Sequence, residues 1–91
     1  MPNKKNDEYY VIRAQNGDNQ ALDYIIRKYK SMVRSRAHSY YIMGSDKEDI
    51  IQEGMIGLYK AVRDFNNRAS FRNFASMCIT RQIITDRKSV V

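Results

Sequence analysis

The sequence predicts an all-α fold, a compact bundle of about four helices. The lone proline is Pro2, and the four glycines fall at positions 17, 44, 54 and 57, so long stretches carry no helix breaker. Between those breaks, apolar residues recur every three or four positions, the period of a helix with one buried face. Hydrophobic residues make up 43% of the 91, enough for one modest core. The chain therefore reads as a single domain over residues 1–91, with the polar residues 1–6 expected to be disordered.

The first helix is expected from about Asp7 to Gln15, ended by Asn16 and by Gly17 in the left-handed cap position. Asp18 or Asn19 then caps a long second helix reaching about Tyr41. Its apolar stripe is Leu22, Ile25, Ile26, Tyr29, Met32, Val33, Ala37 and Tyr40. Gly44 closes it, and Ser45 with Glu48 forms a capping box for a third helix running to about Asp64. Ile51, Met55, Leu58, Val62 and Phe65 form that helix's core stripe, with Gly54, Gly57 and Ala61 on its flank, where a neighbouring helix can approach closely. A short loop, FNNRA, leads to a fourth helix capped by Ser70.

The formal charge is +6, unevenly spread. Residues 1–45 carry eight basic and four acidic side chains (+4), residues 46–64 three and five (−2), and residues 65–91 five and one (+4). An acidic block between two basic ones suggests two different partner surfaces, and a basic balance favours a polyanion as one partner. The N-terminus has no apolar stretch of the kind a signal peptide needs, and no run approaches the ~20 apolar residues of a membrane span. A cytoplasmic protein with no membrane partner is the expectation. The single cysteine, Cys78, cannot form an internal disulfide, and one Cys with one His cannot build a zinc cluster.

Two surfaces stand out. On the third helix, Asp46, Asp49, Gln52, Glu53, Lys60 and Arg63 lie opposite the core, and Ile56 and Tyr59 interrupt this polar face. It fits either a solvated face with two stray apolar residues or a partner-binding face with an apolar centre ringed by charge. On the fourth helix, Phe71, Phe74, Ala75 and Cys78 share a core face. After Thr80 the pattern breaks, with Gln82, Thr85 and Asp86 at the apolar angle while Ile83 and Ile84 point elsewhere. The second half is thus expected to kink or leave the domain body. Arg81, Gln82, Thr85, Arg87 and Lys88 exposed there suit either a frayed, solvated end or DNA contact, with Arg and Lys on phosphates and Gln on a base edge.

Catalysis finds little support. His38 is the only histidine, the carboxylates Asp46, Glu48, Asp49 and Glu53 complement a helix dipole, and Cys78 reads as a buried small hydrophobe. No glycine-rich phosphate loop is present and no cofactor is implied. The expectation is a protein that is not an enzyme.

The stretch DIIQEGMIGLYKAVRDF, Asp49 to Phe65, resembles the polymerase-binding segment of bacterial sigma factors. FRNFASMCITRQIIT, Phe71 to Thr85, resembles their melting and minus-ten recognition segments, and ALDYIIRKYKSMVRSRAHSYY the preceding helix. GLYKAVRDF and CITRQIIT bring the resemblance closest to the sigma-H type, the stationary-phase and sporulation class. The resemblance implies that the region-two helical bundle docks on a coiled coil of the largest subunit of core RNA polymerase. The matching residues are Asp49, Gln52, Glu53, Met55 and Tyr59, and Ile56, on the same face by the wheel, is expected to join them in polymerase binding. The helical wheel independently turns four of these outward and leaves Met55 at the edge. The resemblance also implies that Phe74 stacks on a base flipped from the non-template strand of the minus-ten element, and that Arg81, Gln82 and Thr85 recognise promoter DNA. Arg68, Arg72, Arg87 and Lys88 would contact phosphates. An anti-sigma factor is a possible further partner.

Three departures qualify this. Where primary sigma factors carry a tandem tryptophan that wedges the duplex open, the matching stretch is Met77, Cys78 and Ile79, so melting should be weaker and more promoter-dependent. The fourth helix is one residue longer between Phe74 and Arg81. The chain stops at Val91, and the family's second, promoter-reading domain is expected to be absent. The alternative function is a small helical regulator that reads duplex DNA with its fourth helix. A helix-turn-helix places its readers at the helix N-terminus, whereas the candidates here lie at the C-terminal end. A pure protein-interaction domain, such as a sigma-like decoy, is the third reading.

Overall fold

A computed structural model of the chain describes residues 6–41 and 47–88, without the side chains of Tyr41, Asp86, Arg87 and Lys88. The helices are α1 (Asp7–Gln15), α2 (Asn19–Tyr41), α3 (Lys47–Asp64) and α4 (Phe71–Lys88), and no strand occurs among the described residues. The all-α bundle of four helices is therefore as expected. Gly44, Ser45 and Asp46, with the capping box built on Ser45, lie outside the described residues.

The helix ends follow local chemistry. Asn6 Oδ1 accepts from the Tyr9 amide at 2.9 Å and caps α1. Gly17, at φ +96°, turns the chain out of α1, a conformation that costs glycine nothing. Asp18 Oδ1 accepts from the Gln20 and Ala21 amides at 3.0 and 3.2 Å and starts α2. The amide bond from Ala21, with the Arg13 guanidinium beside it, holds the Asp18 carboxyl below the usual range. Ser70 Oγ accepts from the Asn73 amide at 3.2 Å and caps α4, while Asn67, at φ +68°, turns the preceding loop.

α2 buries Ala21, Ile25, Tyr29, Val33 and Ala37, with Leu22, Ile26, Met32 and Tyr40 half-buried beside them. The expected stripe is thus the observed one, with Ala21 added. On α3 the buried face is rotated from the expected one: Ile50, Gly54, Gly57, Leu58, Ala61 and Val62 are buried, whereas Ile51 and Met55 are only partly so. Glycine and alanine contribute little to an apolar pattern, yet here they are the contact. A Cβ on Gly57 would lie 2.8 Å from both the Cys78 carbonyl oxygen and Ile79 Cα, and one on Gly54 would lie 2.7 Å from Val33 Cγ1. α4 thus rests its backbone on α3.

The same contact corrects the reading of α4. The helix is continuous to Lys88 and does not leave the body after Thr80: Phe71, Ala75, Ile79 and Ile83 are all fully buried. Spaced every four residues, they form a ridge that winds slowly around the helix as it crosses its neighbour. The face defined by Phe71, Phe74, Ala75 and Cys78 holds only for the first two turns, and Phe74 and Cys78 are half-buried at its edge.

α1 closes the bundle through Val11, which is fully buried, and through polar bonds to each other helix. Asp7 accepts from Lys28 Nζ at 2.7 Å and from the Tyr29 hydroxyl on α2. Glu8 Oε2 accepts from the Phe71 amide at 2.6 Å, adding a second cap to α4. Gln15 Nε2 donates to the Val62 and Phe65 carbonyls at 2.8 and 2.9 Å, at the end of α3.

Two outcomes follow from this packing. Gly57→Ala should push α3 and α4 apart and lower stability by about 2 kcal/mol, despite alanine's better helix propensity; thermal melting should register a drop of ~10 °C. Burial, and then the bond to Asp7, raise the Tyr29 phenol above its ordinary value of 10.0. The folded state thus keeps this proton where the unfolded chain releases it, so its contribution is complete below pH 10 and declines above. Melting temperatures measured through the alkaline range should fall more steeply for the wild type than for Tyr29→Phe.

Candidate functional site

The polar side of α3 points away from the other helices. Asp49 and Gln52 are exposed, and Ile56 and Tyr59, further along the same side, are 42% and 49% exposed. Glu53 is half-buried, and Met55 packs against the core cluster at the border of this face. Five of the six residues that the sequence assigns to docking thus form one surface, with Met55 as its inner edge. Lys60 and Arg63 extend it towards the helix end, where Arg63 Nε meets Asp64 Oδ1 at 2.8 Å and lowers the carboxyl's proton affinity.

The candidate DNA residues divide into three groups. Arg72, Arg81 and Thr85 are exposed on α4, and Arg68 is exposed in the loop before it. Phe74 is half-buried, its ring centroid 5.7 Å from that of Phe65 at an interplanar angle of 52°. One side of the ring is therefore braced by the core. Gln82 is half-buried and engaged with α3: its Nε2 donates to Glu53 Oε1 at 2.9 Å, and its Oε1 accepts from Lys60 Nζ at 3.0 Å. Arg87 and Lys88 lie on the last turn of α4, and their side chains fall outside the described residues.

Other residues join these surfaces that were not among the expected contact residues. Met77 and Ile84, 47% and 39% exposed, flank Arg81 on the outer side of α4. Their spacing of four and three around Arg81 is the available signal, hidden by the expectation that the second half of the helix kinks or leaves the domain body. A groove between α2 and α4 is lined by Lys28, Ser31, Ser35, Arg36 and Arg72, with Arg36 held to Ser76 Oγ at 2.6 Å. The basic first half of the chain hinted at it, but the pairing with α4 is visible only in the fold.

His38 is exposed, and burial pushes the Cys78 thiol up, away from the thiolate form. Among the described residues no group of three or more His, Cys, Asp or Glu side chains could hold a metal ion. None of the described helices is long and apolar enough to cross a membrane.

The geometry separates two aromatic residues of interest. Tyr59→Ala should leave the melting temperature nearly unchanged, within about 0.5 kcal/mol, because the ring is half in water. Phe74→Ala should cost ~2 kcal/mol, since it removes a ring packed on Phe65. Thermal or denaturant unfolding of both variants checks the pair.

Residues 25–89 match the family model described as Sigma-70 region 2. The RNA polymerase sigma-H factor of Bacillus subtilis (strain 168) is 54% identical over 85 residues, which cover 91% of this chain and 39% of that protein. The sigma-H factor of Bacillus licheniformis is also 54% identical over 85 residues, covering 91% of this chain and 38% of that relative. The ECF RNA polymerase sigma-E factor of Escherichia coli (strain K12) is 31% identical over 71 residues, covering 78% and 37%. The chain thus spans about two fifths of the length of the sigma-H relatives.

Proposed function

The chain belongs to the Sigma-70 region 2 family, and from that membership we propose that it is the part of a sigma factor that binds core RNA polymerase and opens the minus-ten promoter element. No reaction is catalysed in this reading and no cofactor is used; the protein works in the cytoplasm. Its partners are the coiled coil of the polymerase largest subunit and the non-template strand of promoter DNA. An anti-sigma factor that covers either surface is compatible with the same chemistry.

The observation that carries the reading is the outward face of α3. Ile56 and Tyr59 remain exposed on a helix whose other side is packed to the backbone, and Asp49, Gln52 and Glu53 surround them. An apolar centre within a polar rim is the anatomy of a docking patch. A partner surface of positive charge would meet complementary charge there, since residues 46–64 carry a net −2.

The DNA half of the proposal rests on α4 and the loop before it. Arg68, Arg72 and Arg81 supply phosphate contacts, with Arg87 and Lys88 proposed for the same role at the helix end. Phe74 offers a ring already braced from behind by Phe65, so that stacking on an unpaired base requires little reordering. Gln82 and Thr85 are the proposed base readers. Met77, exposed at the position that matches the missing tryptophan pair, supplies less surface for a wedge than an indole does. Strand opening would accordingly depend more on the promoter.

The decisive experiment is binding of the chain to purified bacterial core RNA polymerase, with the double variant Gln52→Ala/Tyr59→Ala as the comparison. Binding by the wild type with a loss of about a hundredfold in the variant is expected for two central contact residues. A folded chain that does not bind core polymerase would remove the proposal.

A further inference from the structure

A peroxide has two kinds of sulfur to attack in this chain, the single Cys78 and the methionines. Met77 and Cys78 are neighbours on α4, yet the fold treats them oppositely. Cysteine reacts as its thiolate, and burial pushes the Cys78 thiol up, so the reactive form is suppressed. A thioether has no proton to lose, and its reactivity follows its exposure. Met77 is 47% exposed, whereas Met32 and Met55 are half-buried against the core cluster. Among the described residues, Met77 is therefore the sulfur that an oxidant meets first. It also stands apart from the packing. The ridge that holds α4 to the body runs through Ala75, Ile79 and Ile83 on the other side of the helix, so chemistry at Met77 leaves the fold intact.

We propose that Met77 is an oxidation site, and that its conversion to the sulfoxide by a peroxide weakens strand binding by α4. In that step a sulfur lone pair attacks one peroxide oxygen. The S–O bond forms as the O–O bond breaks, and the departing hydroxide takes the remaining proton and leaves as water. Sulfur loses two electrons and the peroxide gains them. The product is polar and chiral where the thioether was apolar and flexible. Its oxygen carries partial negative charge, on a surface proposed to face bases and phosphates. Arg81 is exposed one turn further along the same side, so the sulfoxide oxygen also competes with phosphate for that guanidinium. This rests on the function proposed above and adds its regulation: an apolar contact on the strand-opening surface that a mild oxidant removes and a reductant restores.

The test treats the folded chain with hydrogen peroxide, removes the oxidant with catalase and maps the oxidised sulfurs by mass spectrometry of its peptides. Met77 should become the sulfoxide before Met32, Met55 or Cys78 is modified. The treated chain is then mixed with untreated core RNA polymerase, and binding of a minus-ten single strand is read by fluorescence anisotropy. Oxidation should weaken strand binding about fivefold, the loss of roughly one apolar contact. Binding to core polymerase should not change, and methionine sulfoxide reductases should restore the strand affinity. Met77→Leu keeps an apolar side chain of similar size without the sulfur. Measured against its own untreated affinity, this variant should lose nothing on treatment, which separates Met77 from every other methionine. Circular dichroism confirms that each oxidised chain remains helical. Modification of Met32, Met55 or Cys78 ahead of Met77 would overturn the proposal, as would an equal loss in Met77→Leu or no loss in the oxidised wild type. In each of those cases strand binding by the untreated wild type leaves the proposed function standing. If the untreated complex with core polymerase binds no strand, the DNA half of that function fails and the oxidation switch fails with it.

Discussion

The bundle depends on how closely α3 and α4 approach. Gly57 removes the side chain that would hold the two apart, and the backbone at Cys78 and Ile79 fills the space, while Gly54 makes the same room for Val33 of α2. Everything on α4 is placed by this contact. The ridge of Phe71, Ala75, Ile79 and Ile83 is buried because the helix lies directly on its neighbour. Burying the two isoleucines alone is worth about 1.5–3 kcal/mol each, enough to hold the second half of α4 to the body.

The same contact sorts the surfaces. With one side of α3 occupied by α4 and α2, the residues left outside are those of the opposite side, and Ile56 and Tyr59 have no intramolecular surface to cover them. The polar side of α4 faces another direction, bounded by the groove to α2. Charge follows the division, with the acidic block confined to α3 and basic residues on α4, the preceding loop and α2. Two partners of opposite electrostatic character can therefore be served by a chain of this size without competing for one patch.

Much of this was legible in the sequence because helix ends are written locally. Asn16–Gly17, Asp18 and Ser70 each bond within a few residues of themselves, and their positions were read correctly. The outward face of α3 was legible for the same reason, since a wheel needs only spacing. The second half of α4 was not, because a ridge spaced by fours drifts around the helix and becomes a buried stripe only against a neighbour crossing at the matching angle. The buried face of α3 was misjudged by weighing side chains when the contact is made by glycines. Gln82 looked like a free reader because its partners, 29 and 22 residues away, leave no trace in the local pattern. The capping of α4 by Glu8 spans 63 residues and is equally silent.

α1 gives that last point a wider meaning. The family match begins at residue 25, yet the helix before it supplies Val11 to the core, Glu8 to the start of α4 and Gln15 to the end of α3. A unit defined by shared sequence and a unit defined by satisfied backbone groups are therefore different objects in this protein. The recognisable segment alone would expose one buried side of α2 and leave an amide and two carbonyls to find other partners. Relatives that share residues 25–89 but diverge upstream must solve this problem anew, each with whatever its own leading segment can offer. The beginning of the chain is thus under a constraint of shape and hydrogen bonding that the family match does not record.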